Sequence, residues 1–569
     1  MKKSVMVTLF TFLMGAAAFA QSIQDGVNHF YAQRFQSART TFEKLIAANP
    51  NNIDAHYWLG QVLIAQKDVS AARSHYEKAV ASSNNAPLLM VGLGHVALLE
   101  GKLPEARQQF ETAINASRGK KGADPDVLNA VGRANVESYT EKDKFGDLEY
   151  AIEKLSEAAQ RAPNNPDIYL NLGNAYRKQR GPNAGGNAIQ SYMKAFELNS
   201  SFAIAPYRAA MLYKTQVVMN RPETWTVVLA NLDMAISADS KFAPAYYEYY
   251  TYYLLSKQDF AKAEEYANLY TGNADPSVEN DYLKAQTFWI QKKYDTAIAI
   301  GKNIIAKTNN NPNPRVYRLL AHSYIGKKDT AMSCTWVNEF LSKADEEDFV
   351  PQDYILYAQT CAKDDVDKIM EAVTKAVALD SVVPRKIVIL RDFAREAKAA
   401  GQRNLEATLS KLAYQLEGEK ANIARLIAEI AVPYYFAGSY AEADSAALAY
   451  AAAAPDSIHG YYWSALARSA MDTGEVQRGL AVEAYEKVLE IAESNPERFQ
   501  TQGLRAAKTL AVYYNNVKED RAAALAVIDR GLALDPEDES LQEFRKVLAP
   551  SNQSRSTQKT STSTGKAKS

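Results

Sequence analysis

The stretch 59–79, LGQVLIAQKDVSAARSHYEKA, is answered 34 residues later by 93–113, LGHVALLEGKLPEARQQFETA. The copies agree at fixed places: Leu59-Gly60 and Leu93-Gly94 lead, Ala72 and Ala106 follow, then the aromatics Tyr76 and Phe110, then Ala79 and Ala113. Gly26, Ala38 and Phe42 fit one period earlier. A unit of this length holds two helices and a turn. Small residues let the two backbones approach, and larger ones fill the remaining gap. The stretch therefore reads as stacked helical hairpins.

The pattern continues with insertions, through Val131-Gly132 with Ala151 and Ala158, then Leu172-Gly173 with Tyr176, Ala188, Tyr192 and Ala195. Turn-rich segments at 117–122 and 180–186 absorb the extra residues. Pro50 and Pro163 close second helices, and later units remain legible around Tyr294 with Ala297, Tyr440 with Ala443 and Pro455, and Tyr514 with Pro536. The whole amounts to about 14 units. This arrangement resembles the tetratricopeptide repeat, whose pattern has Leu-Gly in helix A, then Ala, an aromatic, and often Pro closing helix B. The resemblance implies an all-α fold, an α-solenoid superhelix of antiparallel helix-turn-helix repeats. It is expected over 21–308 and, in more degenerate form, over 315–549, with a capping helix from Glu539 to Leu548. The Asn/Pro run from Asn309 to Pro314 reads either as a joint between two halves or as a long turn in one continuous superhelix.

The rest of the chain bounds the function. Its 65 basic residues nearly balance 66 acidic ones, with no long basic run in the middle, so nucleic acid is not an expected partner. Residues 1–20 have the parts of a signal peptide: Lys2 and Lys3, an apolar stretch from Val5 to Phe19, and Ala18-Phe19-Ala20 before Gln21. The apolar segment falls short of a bilayer span, and no cysteine stands at the cleavage point for lipid attachment. The expected product is exported and does not span a membrane; the periplasm is the expected destination, with the cell-envelope surface or the medium as alternatives. The tail at 550–569, rich in Ser, Thr and Lys, is expected to be disordered. Cys334 and Cys361, the two cysteines, form one disulfide or stay packed as thiols.

Chemistry is sparse. No two of the six histidines have the close spacing of a helical metal site, and Gly92-Leu-Gly94 lacks the strand that a dinucleotide loop requires. No enzyme activity, metal or cofactor is expected. Function should lie on the concave face, which the A helices line. Members of the resembled family that clamp a peptide carboxylate use Lys and Asn from one A helix, Asn from the next, and Lys and Arg from a third. The register puts Asn129 and Arg133, then Asn171, then Arg208 at four of these places; Asn129 stands for Lys, Arg133 for Asn, and Ile204 for the second Lys. Asn174, Arg177 and Tyr207 are expected to widen such a groove. The run from Tyr246 to Tyr253 sets tyrosine around much of one helix, with Tyr252 at a groove-facing position and inter-helix packing as the alternative. The expected function is an exported scaffold or adaptor that binds peptides or protein partners in the cell envelope. A glycan- or peptidoglycan-binding protein using aromatic platforms is the alternative.

Overall fold

The small–aromatic pairing that defines the period also makes the helix crossings. Tyr76 and Phe110 are fully buried, and a Cβ added at Gly60 would overlap the Tyr76 ring, as one at Gly94 would overlap Phe110. Gly26 meets Phe42 and Gly173 meets Tyr192 in the same way. Burying each ring against a bare backbone removes apolar surface from water at a place where no side chain could intervene. The Tyr76 hydroxyl then donates to the Tyr57 carbonyl at 2.7 Å and accepts from Gln61 Nε2 at 2.9 Å, so its one polar atom is satisfied inside the core.

The structure, a computed structural model, describes residues 22–549 except 141, 180, 219–221, 363–364 and 475–476. The leader read at 1–20 and the tail at 550–569 lie outside the described residues. The described residues form 29 α-helices and no β-strand. The number is odd, as an alternation of A and B helices closed by one last helix, Glu539–Leu548, requires. The chain divides into two compact units, 1–328 and 329–569.

The first unit contains α1 (Ile23–Tyr31), α2 (Phe35–Ala48), α3 (Ile53–Ala65), α4 (Val69–Ser82), α5 (Pro87–Leu99), α6 (Leu103–Ala116), α7 (Pro125–Ser138), α8 (Leu148–Arg161) and α9 (Pro166–Gln179). It continues through α10 (Ala184–Leu198), α11 (Ile204–Lys214), α12 (Thr226–Ala238), α13 (Ala243–Thr251), α14 (Phe260–Asn273), α15 (Val278–Ile290), α16 (Tyr294–Lys307) and α17 (Arg315–Gly326). Odd-numbered helices are the A helices. Many A-to-B turns pass through one left-handed residue, such as Lys67 (φ 65°), Gly101 (φ 74°) or Lys292 (φ 60°). At several, an Asp then caps the next helix: Asp68 accepts from Ala71 N and Asp259 from Lys262 N. The Asn309–Pro314 run lies within this unit as the turn between α16 and α17; the two units divide after Lys328.

In the second unit, α18 (Thr330–Lys343) and α19 (Pro351–Thr360) are tied by a disulfide between Cys334 and Cys361, with the two Cα atoms 5.0 Å apart. The Asn338 amide donates toward both sulfurs, at 3.4 and 3.3 Å. Further along, Val488, Leu489, Ala507, Leu510 and Ile528 form part of the core that the last helices share. Among the described residues no helix is long and apolar enough to cross a membrane.

Candidate functional site

Three of the residues that the register put on the concave face do converge, and on a carboxylate. That carboxylate belongs to the chain itself. Asp167, in the first turn of α9, accepts from Asn129 Nδ2 at 2.6 Å, from Asn171 Nδ2 at 3.2 Å, and from the Arg133 guanidinium. Asn171 also donates to Asn129 Oδ1 at 2.9 Å. Tyr31, at the end of α1, completes the set: its hydroxyl donates to the other Asp167 oxygen and accepts from Arg133 at 2.6 Å. The Arg133 guanidinium lies 4.3 Å from the Trp58 ring centroid, a cation–π contact that holds it from the α3 side.

Burial makes this network costly to open. Arg133 is 2% exposed, and Asn129 and Asn171 are buried. Burial opposes the charge on Arg133, but Asp167, Tyr31, Tyr57 and Glu137 together outweigh it and hold its pKa well above the ordinary value. Burial likewise pushes the Tyr31 hydroxyl well above its usual range. The arrangement is thus a neutral, hydrogen-bonded ion pair inside the repeat stack. Asn129, Arg133 and Asn171, expected to meet a partner, are occupied by Asp167 and Tyr31.

Tyr31 reaches Asp167 because the first hairpin packs along the starts of later A helices. Its ring meets Phe202 edge-on at 5.5 Å between centroids, and Arg34 lies 3.9 Å from Asp239. Asp275 Oδ2 accepts from Gln36 N at 2.7 Å and Ser37 N at 3.2 Å. These are the second and third residues of α2, whose own preceding residue, Arg34, supplies no side-chain cap. An aspartate 239 residues away therefore performs the N-capping that a neighbouring residue usually performs. The first unit closes on itself one hairpin at a time, through Asp167, Phe202, Asp239 and Asp275.

The remaining expected contacts fall elsewhere. Asn174 accepts from the Tyr192 hydroxyl at 3.0 Å, an A-to-B contact within one hairpin. Arg208 stays outside the Asp167 network, close to Lys178 and Glu137. Lys178 donates to the carbonyl of Tyr139 at 2.7 Å, and burial, with Arg177 and Arg208 nearby, lowers its pKa to about 8. Tyr252, expected in the groove, is 6% exposed and packs between Trp225 (4.9 Å) and Tyr253 (5.1 Å). It begins the π-turn Tyr252–Lys257, so the helical register that placed it in the groove ends there.

An open cavity of about 370 Å³ lies at the closure, lined by Tyr207, expected to widen the groove, by Tyr247 of the tyrosine run, and by residues that the register did not single out. Its walls include Tyr207, Tyr247, Tyr270, Tyr282, Gln286 and Arg315, with Gln33 reaching it from the first hairpin. Tyr247 is 40% exposed; its ring lies 5.3 Å from Tyr270, inclined at 58°. Arg315 lies 4.3 Å from the Tyr282 centroid and 3.7 Å from Glu279. Tyr247 stands in the conspicuous tyrosine run, whereas Tyr270, Tyr282 and Arg315 are brought to it only by the stacking of α13, α14, α15 and α17. Among the described residues no group of His, Cys, Asp and Glu is arranged to hold a metal ion.

Fold and site together define an all-α helical-repeat protein. Residues 26–87 match a family model described as the tetratricopeptide repeat and residues 144–179 one described as the TPR repeat, so these stretches carry tetratricopeptide repeats. No catalytic family is indicated. Comparison with curated proteins gives no significant match. Among solved structures, the chain is similar to the C-terminal part of a TPR repeat-containing protein from Cytophaga hutchinsonii, with 21% identity over 46% of this chain and 98% of that one, TM-score 0.25. It is also similar to a tetratricopeptide repeat protein from Parabacteroides merdae, with 16% identity over 50% and 98%, TM-score 0.29. YrrB, a TPR protein with an unusual peptide-binding site, aligns at 20% identity over 36% and 96%, TM-score 0.22.

Proposed function

We propose that the chain is an exported scaffold that binds an extended peptide or a protein segment, and that the tyrosine-lined cavity is its contact site. One observation carries this reading: the Asp167 network is satisfied internally, while the neighbouring cavity keeps aromatic rings and polar side chains open to solvent. A volume of about 370 Å³ falls within the usual range for ligand sites. Rigid tyrosines contribute contact area with little loss of side-chain entropy. The two tetratricopeptide stretches, 26–87 with Tyr31 and 144–179 with Asp167 and Asn171, fit a protein-binding role. Export rests on the leader at 1–20 and agrees with the Cys334–Cys361 bridge, since disulfides persist in oxidising compartments.

The test is an affinity pull-down from envelope extract with wild type beside a Tyr247→Ala/Tyr282→Ala variant. A protein retained by wild type and lost by the folded variant supports the reading. Retention unchanged by the variant refutes the assignment of the site. Export is tested by fractionation and mass measurement of the N-terminus; a cytoplasmic chain that keeps residues 1–20 refutes it.

A further inference from the structure

The closure of the first unit hangs on α1 and the residues that follow it: Tyr31 reaches Asp167, Arg34 lies 3.9 Å from Asp239, and α2 takes its cap from Asp275. With 9 residues, α1 is too short to hold its shape by its own turns, so its start matters. That start is a reciprocal cap. Ser22 Oγ accepts from Asp25 N at 3.0 Å, and Asp25 Oδ2 accepts from Ser22 N at 2.8 Å. Ser22 is the first described residue, and it is exposed. A single residue, Gln21, stands between this cap and the expected leader cut after Ala20.

A cut there gives the chain an end with its own chemistry. The α-nitrogen of an amino-terminal glutamine can close a five-membered ring on its own side-chain amide carbon. The N–Cδ bond forms, the Cδ–Nε2 bond breaks, and the departing nitrogen takes a proton from the attacking one and leaves as ammonia. Neither an oxidant nor a second reactant is needed. The attacking form is the free amine, and an ordinary α-amino group titrates at about 7.7–8.0, so part of it is free at neutral pH. The positive end of α1, which begins at Ile23, favours an uncharged neighbour over an ammonium. The product is a neutral lactam on the same peptide bond to Ser22, whose N–H and hydroxyl keep their partners in Asp25.

We infer that processing leaves Gln21 as the amino terminus, that this residue cyclises to pyroglutamate, and that the ring shields the Ser22–Asp25 cap from exopeptidases. This rests on the export reading, which supplies the cut, and adds a modification to it. A lactam offers no free α-amine for an aminopeptidase to engage. An open terminus loses Gln21 and then Ser22, which is half of the cap. α1 then frays from its start toward Tyr31, the residue that anchors the first hairpin to Asp167.

The experiment is mass measurement of the N-terminal peptide of the full chain, expressed with its leader in a Gram-negative host and measured directly on isolation. A chain that begins at residue 21 and is lighter by one ammonia is the expected result. A chain that begins there with a free amine, or is cut elsewhere, overturns the inference and leaves export standing; one that keeps residues 1–20 overturns export as well. Gln21→Asn, whose side chain is too short to close the ring, should be cut at the same place and keep its amine. Under a broad-specificity aminopeptidase this variant should lose Ser22, and amide exchange in the first turn of α1 should then quicken roughly fivefold, the usual effect of a lost cap, while wild type stays unchanged. Equal resistance of the two chains overturns the protective role.

Discussion

Replacing Asp167 by alanine should unlock the first unit more than any other single surface-proximal change. The substitution leaves Arg133, 2% exposed, without its carboxylate, and removes the shared acceptor of Asn129, Asn171 and Tyr31. Removing one partner of a buried ion pair costs about 3–5 kcal/mol, because the charge that remains is neither paired nor hydrated. Removing both should cost far less, so Asp167→Leu combined with Arg133→Leu is expected to recover most of the loss. The assay is denaturant unfolding followed by circular dichroism, with amide exchange at α1 and α2 as a local readout. Exchange matters because a repeat array need not melt in one step. In Asp167→Ala, α1 and α2 should lose protection before the rest of the unit, since Tyr31 has lost its anchor. A single-variant cost below about 1 kcal/mol, or a double variant as unstable as the sum of the singles, would refute a buried, coupled pair.

Further tests address other groups. His95 is 1% exposed, and neither ring nitrogen has a partner hydrogen bond among the described residues; burial, with Arg133 adding to it, lowers its pKa from 6.5 to about 3. Since the unfolded chain binds the proton more readily, its contribution to stability is complete above about pH 6.5 and is lost as pH falls toward about 3, by at most about 1.4 kcal/mol per pH unit. His95→Leu should flatten that slope in unfolding measured between pH 7 and pH 4, and an unchanged slope would show that other groups set it. Asp275→Ala should cost about 1 kcal/mol, a normal loss for a helix cap, and speed amide exchange at the start of α2; protection there that stays at the wild-type level contradicts the remote cap. Cys334→Ala with Cys361→Ala should cost the second unit about 3–4 kcal/mol for the loop that a separation of 27 residues closes, read as a reductant-sensitive melting transition in wild type that the variant lacks.

Sequence alone exposed the fold because its determinants lie within one period. The match of Gly60 to Tyr76, or of Gly94 to Phe110, is a contact between the two helices of one hairpin, at a spacing that repetition makes visible. The candidate site was legible by halves. Register brought Asn129, Arg133 and Asn171 to one place and anticipated a carboxylate there. It could not say whose, because the closure that supplies Tyr31 depends on the rise and twist summed over several hairpins. Asp167 itself, just after Pro166, reads in sequence as an ordinary acidic residue in a first helical turn. Tyr252 misled for a local reason: helical spacing was carried one step into a π-turn. The tyrosine cavity assembles side chains from five A or B helices, and no pattern within a single repeat announces such a meeting.

The remote cap on α2 has a consequence for how the chain is made. Contacts in this fold are otherwise local, which favours quick, hairpin-by-hairpin folding as the chain lengthens. The first hairpin is the exception. It leaves the ribosome ahead of everything that closes over it, and its N–H groups at Gln36 and Ser37 wait for a carboxylate synthesised 239 residues later. At about 5–20 residues per second that delay lasts on the order of 10 to 50 seconds, a long time for an uncapped helix to stand alone. The first hairpin to emerge is thus finished only once α14 and the turn carrying Asp275 have been made, and until then its exposed helix start is a place where a holding chaperone would act.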